Sequence, residues 1–356
     1  MSKSLSLSAL AVVAALSVGT PANGQTDAEG TLASVNALAP KQRTEVLIAE
    51  ARKEGVVEWY GSLLVPEASQ IIEKFKQRYP FVEVKYSRAS GTQVINRFIT
   101  ESKTGSHRAD VIGARSNFHP TLMKAGLVAK HLAPFRQELR PGFTDQAGYL
   151  LGQHTFGLVI GYNTRLVPPS KAPQSYQDLL NPEWKGQMGL DLESYDWLAG
   201  ILDTMGEEKG LDFAKKLAMQ NVHVQRGHSL LMQLVAAGEL KLEIDSYHYQ
   251  ISEFRKKGAP LDLILPDPMV VKEPSGIWIA KRAPHPHAAA LLVDFLFSRE
   301  GQQILAGLSV LVARKDIPWD FGGRQPANIH VLSAEKWGSR YNDLARQFDD
   351  IFRKAK

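Results

Sequence analysis

The chain has no cysteine in 356 residues. That absence excludes disulfides, zinc-cysteine centres and thiol catalysis together, and it also excludes lipidation of an N-terminal cysteine. Internal repeats, low-complexity segments and blocks of like charge are missing as well. Beyond the N-terminus there is no apolar run long enough to span a membrane. The formal charge is +5, with basic and acidic residues interleaved. This bias is too mild and too dispersed to be a nucleic-acid footprint.

The N-terminus carries one charge, Lys3, then the run LSLSALAVVAALSVG, then the small residues Ala22-Asn23-Gly24. This pattern predicts a cleavable signal peptide over residues 1–24. The mature protein, at a formal charge of +4 without Lys3, is then expected to be soluble outside the cytoplasm. An unanchored binding protein needs an outer membrane to retain it, so the expected compartment is a Gram-negative periplasm. Residues 25–55 read as a small, polar arm as far as about Ala39, followed by a helix that Pro40 opens and Gly55 stops.

Val56 to Tyr60 then reads as a strand, Pro66 to Tyr79 as a helix, Phe81 to Tyr86 as a strand, Ser90-Gly91-Thr92 as a helix start, and Ala109 to Ile112 as a strand. Strand and helix in alternation predict an α/β unit whose ligand face lies at the carboxyl ends of its strands. A second unit begins near Phe156. Its strands are Phe156 to Asn163, Met188 to Leu192, Val222 to Gln225 and Leu242 to Ile244, and Ile264 to Lys281 reads as a return strand. The expected division is 56–155 plus 276–356 for the first lobe and 156–275 for the second.

The stretch Leu242 to Pro260 sets Tyr247, His248 and Tyr249 between an apolar run and an amphipathic helix. Three consecutive hydrogen-bonding rings are costly to bury unpaired. They face either a cleft or, on the plainer reading, a surface turn with the tyrosines tucked in and His248 in water. Gly227-His228-Ser229 imitates a nucleophile elbow, but Leu231 stands where that motif needs glycine. A secreted hydrolase using Ser229 is therefore the weaker alternative, and no catalytic residue is assigned. His285-Pro286-His287 reads as a helix start with solvated histidines. No metal site, cofactor or enzymatic activity is expected.

In this order the sequence resembles the periplasmic solute-binding proteins of ABC importers, in the branch that includes the ferric-ion-binding proteins. The matching marks are Val57-Glu58-Trp59-Tyr60-Gly61-Ser62, Ala109-Asp110-Val111, Tyr162-Asn163-Thr164, Leu180-Asn181-Pro182-Glu183-Trp184-Lys185-Gly186, Ala237-Gly238-Glu239 and Phe295 to Gln303. The resemblance implies a type II periplasmic-binding fold. Two α/β lobes, each a mixed, mostly parallel sheet flanked by helices, are joined by two crossing strands and close on a ligand. It implies a monomer working with an ABC permease and ATPase in the inner membrane, with delivery to a sensory receptor as the alternative.

It also implies which positions face the cleft. Where ferric binders carry two adjacent tyrosines this chain has His248 and Tyr249. Where they carry an acid after the Ala-Asp-Val strand it has Arg115, and where they often carry a histidine it has Ser62, Leu63 and Leu64. These changes remove hard anionic donors and favour a small anionic solute, of carboxylate, phosphate or phosphonate type, over Fe³⁺. An arginine fork binds such groups bidentately, and helix N-termini favour negative charge. The expected ligand-binding residues are Tyr60, Ser62, Ser90, Gly91, Thr92, Arg115, Ser194, Tyr195, Arg226, His228, Ser229, Tyr247 and Tyr249. The ferric ion is the alternative ligand. On closure, Trp59 and Tyr60 of one lobe and Trp197 and Tyr247 of the other are expected to change exposure.

Overall fold

The computed structural model describes residues 27–353, so the expected signal peptide lies outside the described residues. Thirteen strands follow in chain order: β1 (Val56–Gly61), β2 (Glu83–Arg88), β3 (Val111–Arg115), β4 (Leu151–Thr155), β5 (Leu158–Asn163), β6 (Met188–Asp191), β7 (His223–Gln225), β8 (Leu242–Tyr247), β9 (Leu261–Ile264), β10 (Met269–Val271), β11 (Ser275–Ile279), β12 (Leu311–Val312) and β13 (Ile329–Val331). They form a six-stranded sheet ordered β12-β4-β11-β3-β1-β2, a five-stranded sheet ordered β7-β6-β8-β5-β9, and the pair β10-β13.

Pairing is parallel between β1 and both β2 and β3, and between β6 and both β7 and β8. The strands that cross between lobes join antiparallel: β11 pairs β3 and β4, and β5 pairs β8 and β9. The first crossing is β4 to β5 through Phe156-Gly157, and the second is β10 to β11 through Lys272-Glu273-Pro274. An antiparallel bridge between Gly157 and Val271 ties the two crossings together. Two α/β lobes on two crossing strands are the architecture the sequence predicts.

Local rules placed the helices well. Pro40 is the first residue of the helix Pro40–Glu54, and Gly55 ends it at φ 70°, a left-handed conformation that favours glycine. The helix Gly91–Lys103 begins with a reciprocal cap, in which Ser90 N–H donates to Gln93 Oε1 at 3.1 Å and Gln93 N–H to Ser90 Oγ at 3.4 Å. Leu231, which spoils the nucleophile-elbow pattern, is fully buried in the helix His228–Ala237. Its side chain lies where a Cβ on Gly189 would come within 2.9 Å.

Both chain ends depart from expectation. Part of the segment read as a loose arm is a helix, Ala28–Asn36, whose buried Ala28, Leu32 and Val35 recur at helical spacing and pack toward the helix Pro286–Leu296. At the other end, residues 276–356 were assigned to the first lobe, but the terminal segment belongs to both. The helix Ala334–Gly338 packs on Ser116–Phe118 and His119–Lys124 of the first lobe. The helix Tyr341–Phe352 packs on Tyr195–Met205 and Glu207–Ala218 of the second, placing Leu344, Phe348, Ile351 and Phe352 in that lobe's core. Asp203 of the second lobe accepts from Trp337 Nε1 at 2.8 Å, pairs with His330 at 2.9 Å and bonds Lys336.

Candidate functional site

A cavity of about 290 Å³ opens between the lobes at the crossing strands. Its walls are the loop Ser62-Leu63-Leu64 after β1, Arg115 at the end of β3, His154 and Thr155 at the end of β4, Phe156 and Lys272-Glu273 in the crossings, and Tyr247 at the end of β8. A larger cavity of about 390 Å³, rimmed by Lys103, Arg108 and Lys281, lies at the opposite end of the first sheet. Ligands of open α/β folds bind outside the carboxyl ends of strands, so the smaller cavity is the candidate site.

Its floor is a four-charge cluster. Arg115 Nη2 donates to Asp196 at 3.0 Å and to Glu273 at 2.8 Å, and Lys272 Nζ lies 2.7 Å from Asp196. Lys272 also donates to Tyr247 Oη at 2.9 Å. Burial would raise the Asp196 pKa, but Lys272 and Arg115 outweigh it and hold the carboxyl below its usual range. Glu273 is raised by burial and by Asp196. Every hydrogen bond of the Arg115 guanidinium runs through Nη2. Its Nη1 and Nε have no hydrogen-bond partner among the described residues, the guanidinium lies over the Tyr341 ring at 5.6 Å, and 43% of the side chain is exposed.

The second wall is aromatic. Tyr247 and Tyr249 stack with centroids 5.7 Å apart at 13°, and Phe156 meets them at 5.5 and 5.4 Å. Tyr247 is the last residue of β8 and the helix His248–Lys256 follows at once, so these rings occupy a strand end and a helix start instead of a turn. His248 stands neither in the cavity lining nor, as the plainer reading had it, in water. It is 3% exposed, packs against Phe321 at 5.1 Å, and burial pushes its pKa down to about 4.

The other expected ligand residues divide sharply. Ser62 and Tyr247 line the cavity with Arg115, and Tyr249 adjoins it. Tyr60 does not face the cleft. It is 1% exposed, donates to Glu101 at 3.0 Å and accepts from Arg97 at 2.7 Å beneath the helix Gly91–Lys103. Ser90 is spent on its cap, and Gly91 and Thr92 begin that helix outside the cavity lining. Ser194 is buried, donating to Asp191 O at 2.9 Å and to Asp245. Tyr195 packs edge-on against Tyr341 and Phe348 under the terminal helix. Arg226 forms an exposed pair with Glu193 at 2.6 Å, and Ser229 accepts from Gln250 at 3.3 Å. Trp59 and Trp197, expected to sense closure, are 1% and 0% exposed inside their own lobes.

His228 belongs to a buried acid cluster behind the aromatic wall. Its Nδ1 lies 3.0 Å from Glu243 and 3.9 Å from Asp245, and its ring meets Tyr247 at 4.4 Å. Burial disfavours its charged form, yet Asp245 and Glu243 more than offset this and push its pKa up to about 9. Burial in turn pushes Glu243 up to about 7. His285 and His287, read as solvated, each have a carboxylate partner, Asp110 at 2.9 Å and Glu54 at 2.8 Å. Sequence reading missed Phe156, Lys272, Glu273 and His154. Lys272 and Glu273 stood inside what read as one long return strand, and β4 was not recognised at all.

Comparison with known proteins bears on what this cleft is for. Residues 106–320 match the family model described as bacterial extracellular solute-binding protein. An uncharacterized protein of Haemophilus influenzae is 26% identical over 217 residues, 57% of this chain and 62% of that one. The Fe(3+)-binding periplasmic protein of Serratia marcescens is 24% identical over 177 residues, 47% and 52% of the two chains. The chain thus spans between half and two thirds of the length of these relatives. Among solved structures, iron-bound HitA from Pseudomonas aeruginosa superposes with a TM-score of 0.67 at 21% identity, covering 82% of this chain and 99% of that one. Trichodesmium IdiA (FutA) with iron and citrate gives 0.72 at 18% identity, covering 83% and 99%. These likenesses show the same two-lobed type II periplasmic-binding fold. With the family model matching well over half of the chain across both crossings and the second lobe, the protein belongs to the bacterial extracellular solute-binding proteins, a family of binders and not of enzymes.

Proposed function

We propose that this protein is the periplasmic solute-binding component of an ABC importer and that it captures a small anionic solute in the interlobe cavity. The observation that carries the reading is the divided use of Arg115. Asp196 and Glu273 anchor its Nη2, while Nη1 and Nε have no hydrogen-bond partner among the described residues and the side chain lines the cavity. An anchored guanidinium offers a carboxylate or phosphate two parallel N–H donors at little ordering cost. A membrane permease and ATPase would receive the loaded protein.

The test is a binding screen of carboxylates, phosphonates, phosphate esters and ferric ion against wild type and Arg115→Lys. Lysine keeps the positive charge next to Asp196 and Glu273 but loses the fork. Losing a buried charge-assisted contact costs about 2 to 5 kcal/mol, so the anion that binds wild type should bind Arg115→Lys roughly thirtyfold to several thousandfold more weakly. Unaltered anion affinity in Arg115→Lys sinks the reading.

The ferric ion is the second reading, favoured by the stacked pair Tyr247 and Tyr249 and by the name of the Serratia relative. Against it, the Tyr247 hydroxyl is committed to Lys272, and burial raises the pKa of both phenols. Among the described residues, the two groups of histidine and carboxylate able to surround a metal are His119, Asp145 and Glu335, and His228, Glu243 and Asp245; the second lies behind Tyr247, and neither lines the cavity. A visible tyrosinate-to-iron charge-transfer band on adding ferric citrate would establish this reading in place of the first.

A further inference from the structure

Four histidines are buried among the described residues. His119 accepts from Trp278 Nε1 and His131 Nδ1 meets Asn36, while Nε2 of His131 and Nδ1 of His248 are buried without a hydrogen-bond partner. His154 differs from all three in lining the cavity at the crossing strands. It is 7% exposed, its Nδ1 is buried without a partner, and Nε2 has none among the described residues. An unpaired buried polar ring is costly and calls for an explanation. The ring stands in the wall of the cavity, edge-on to Phe156 at 5.8 Å and on the same lining as Arg115.

The chemistry of that ring narrows the solute. Burial pushes its pKa down to about 4, so at neutral pH it is an uncharged imidazole with one N–H donor and one lone pair. A hydroxyl can accept from that N–H or donate to that lone pair, and a hydrocarbon can do neither. At roughly 30 Å³ of liquid volume per water-sized group, a cavity of about 290 Å³ holds a molecule of small size.

Resting on the anion reading above, we propose that His154 is a solute-contacting residue and that the solute is a small hydroxylated acid, its acid group on Arg115 and a hydroxyl on His154. The class comprises short hydroxycarboxylates and polyol phosphates.

Titration calorimetry of the mature chain with two matched pairs tests this: threonate against butyrate, and glycerol 3-phosphate against propyl phosphate. Within at least one pair the hydroxylated member should bind about 10- to 100-fold more tightly, the range of a buried polar group left unpaired. His154→Phe keeps a ring but no nitrogen. It should bring the two members within about threefold of each other, chiefly by weakening the hydroxylated one. If His154→Phe does not fold, the ring ¹⁵N resonances of His154 in the wild type serve instead, and they should move with the hydroxylated member and not with its partner. Equal affinity within both pairs, a gap that persists in His154→Phe, or resonances that ignore the hydroxyl overturn the inference alone. Absence of binding by all four acids overturns the anion reading together with it.

Discussion

The two faces of the cleft use their polar residues in opposite ways. On the second lobe, Ser194, His228 and Arg226 are each tied to a carboxylate of the same lobe. On the first lobe and the crossing strands, half of the Arg115 fork and both nitrogens of His154 have no partner among the described residues. The second lobe therefore contributes a finished, self-satisfied wall with Tyr247 and Tyr249 on its surface. Recognition falls to the first lobe and the crossings. Sequence type alone does not distinguish the two faces, because both end their strands in serine, arginine and histidine.

Asp196 is the second-lobe carboxylate that reaches Arg115 of the first lobe, and removing it should have the largest effect. Breaking a buried ion pair costs about 3 to 5 kcal/mol, and Lys272 and Asp196 are 17% and 10% exposed. Asp196→Ala should lower unfolding stability in denaturant by about that amount. A loss below about 1 kcal/mol would mean that the lobes are not tied through this group.

The neutral histidines predict a smaller, pH-dependent effect. His154 and His248 both have pKa values pushed down to about 4 from an ordinary 6.5. The unfolded chain takes up these protons first, so stability is full above pH 6.5 and falls as the pH drops toward 4. Each residue contributes up to about 3 kcal/mol over that window, at 1.36 kcal/mol per unit. Glu243, raised to about 7, acts in the opposite direction between about 7 and 4.5, so the difference between variants is the cleaner measurement. His154→Phe should lose less stability on acidification than wild type, and parallel curves would show that His154 titrates alike in the folded and unfolded chain.

The internal commitments of the second lobe give the smallest effects. Ser194→Ala removes a donor to the buried Asp245 and should cost about 1 to 3 kcal/mol of stability. Arg226→Ala removes an exposed pair and should cost less than about 1 kcal/mol. Neither should change affinity for the acid ligand by more than about threefold. A tenfold loss in Ser194→Ala at unchanged stability would place recognition on both lobes and erase the contrast.

Elements governed by neighbours in sequence were legible. Pro40, Gly55 and the Ser90 cap set helix ends through local geometry, and the strand and helix alternation led to two lobes. What was not legible depends on distant partners. Tyr60 looked like a cleft residue until Glu101, 41 positions away, claimed its hydroxyl. The strand β4 ends in Gln153, His154 and Thr155, all buried, so it lacks the alternation that marks a half-buried strand. Arg115 was found through the resemblance, yet its anchoring by Asp196 and Glu273 spans 81 and 158 positions. Tyr195 read as open because the helix that covers it lies almost 150 residues later, at the other end of the chain.

The terminal segment carries a mechanical consequence. Two adjacent strands between two bodies form a flexure that can swing and also twist. Here a third length of chain, held by β13 on β10, by Ala334–Gly338 on the first lobe and by Tyr341–Phe352 on the second, couples the same bodies again. A third linkage resists torsion more than it resists bending, so whatever movement brings Arg115 and Tyr247 around a solute should follow one path. Cutting the chain between Gly338 and Tyr341 would restore the missing degree of freedom without touching a single residue of the cavity lining.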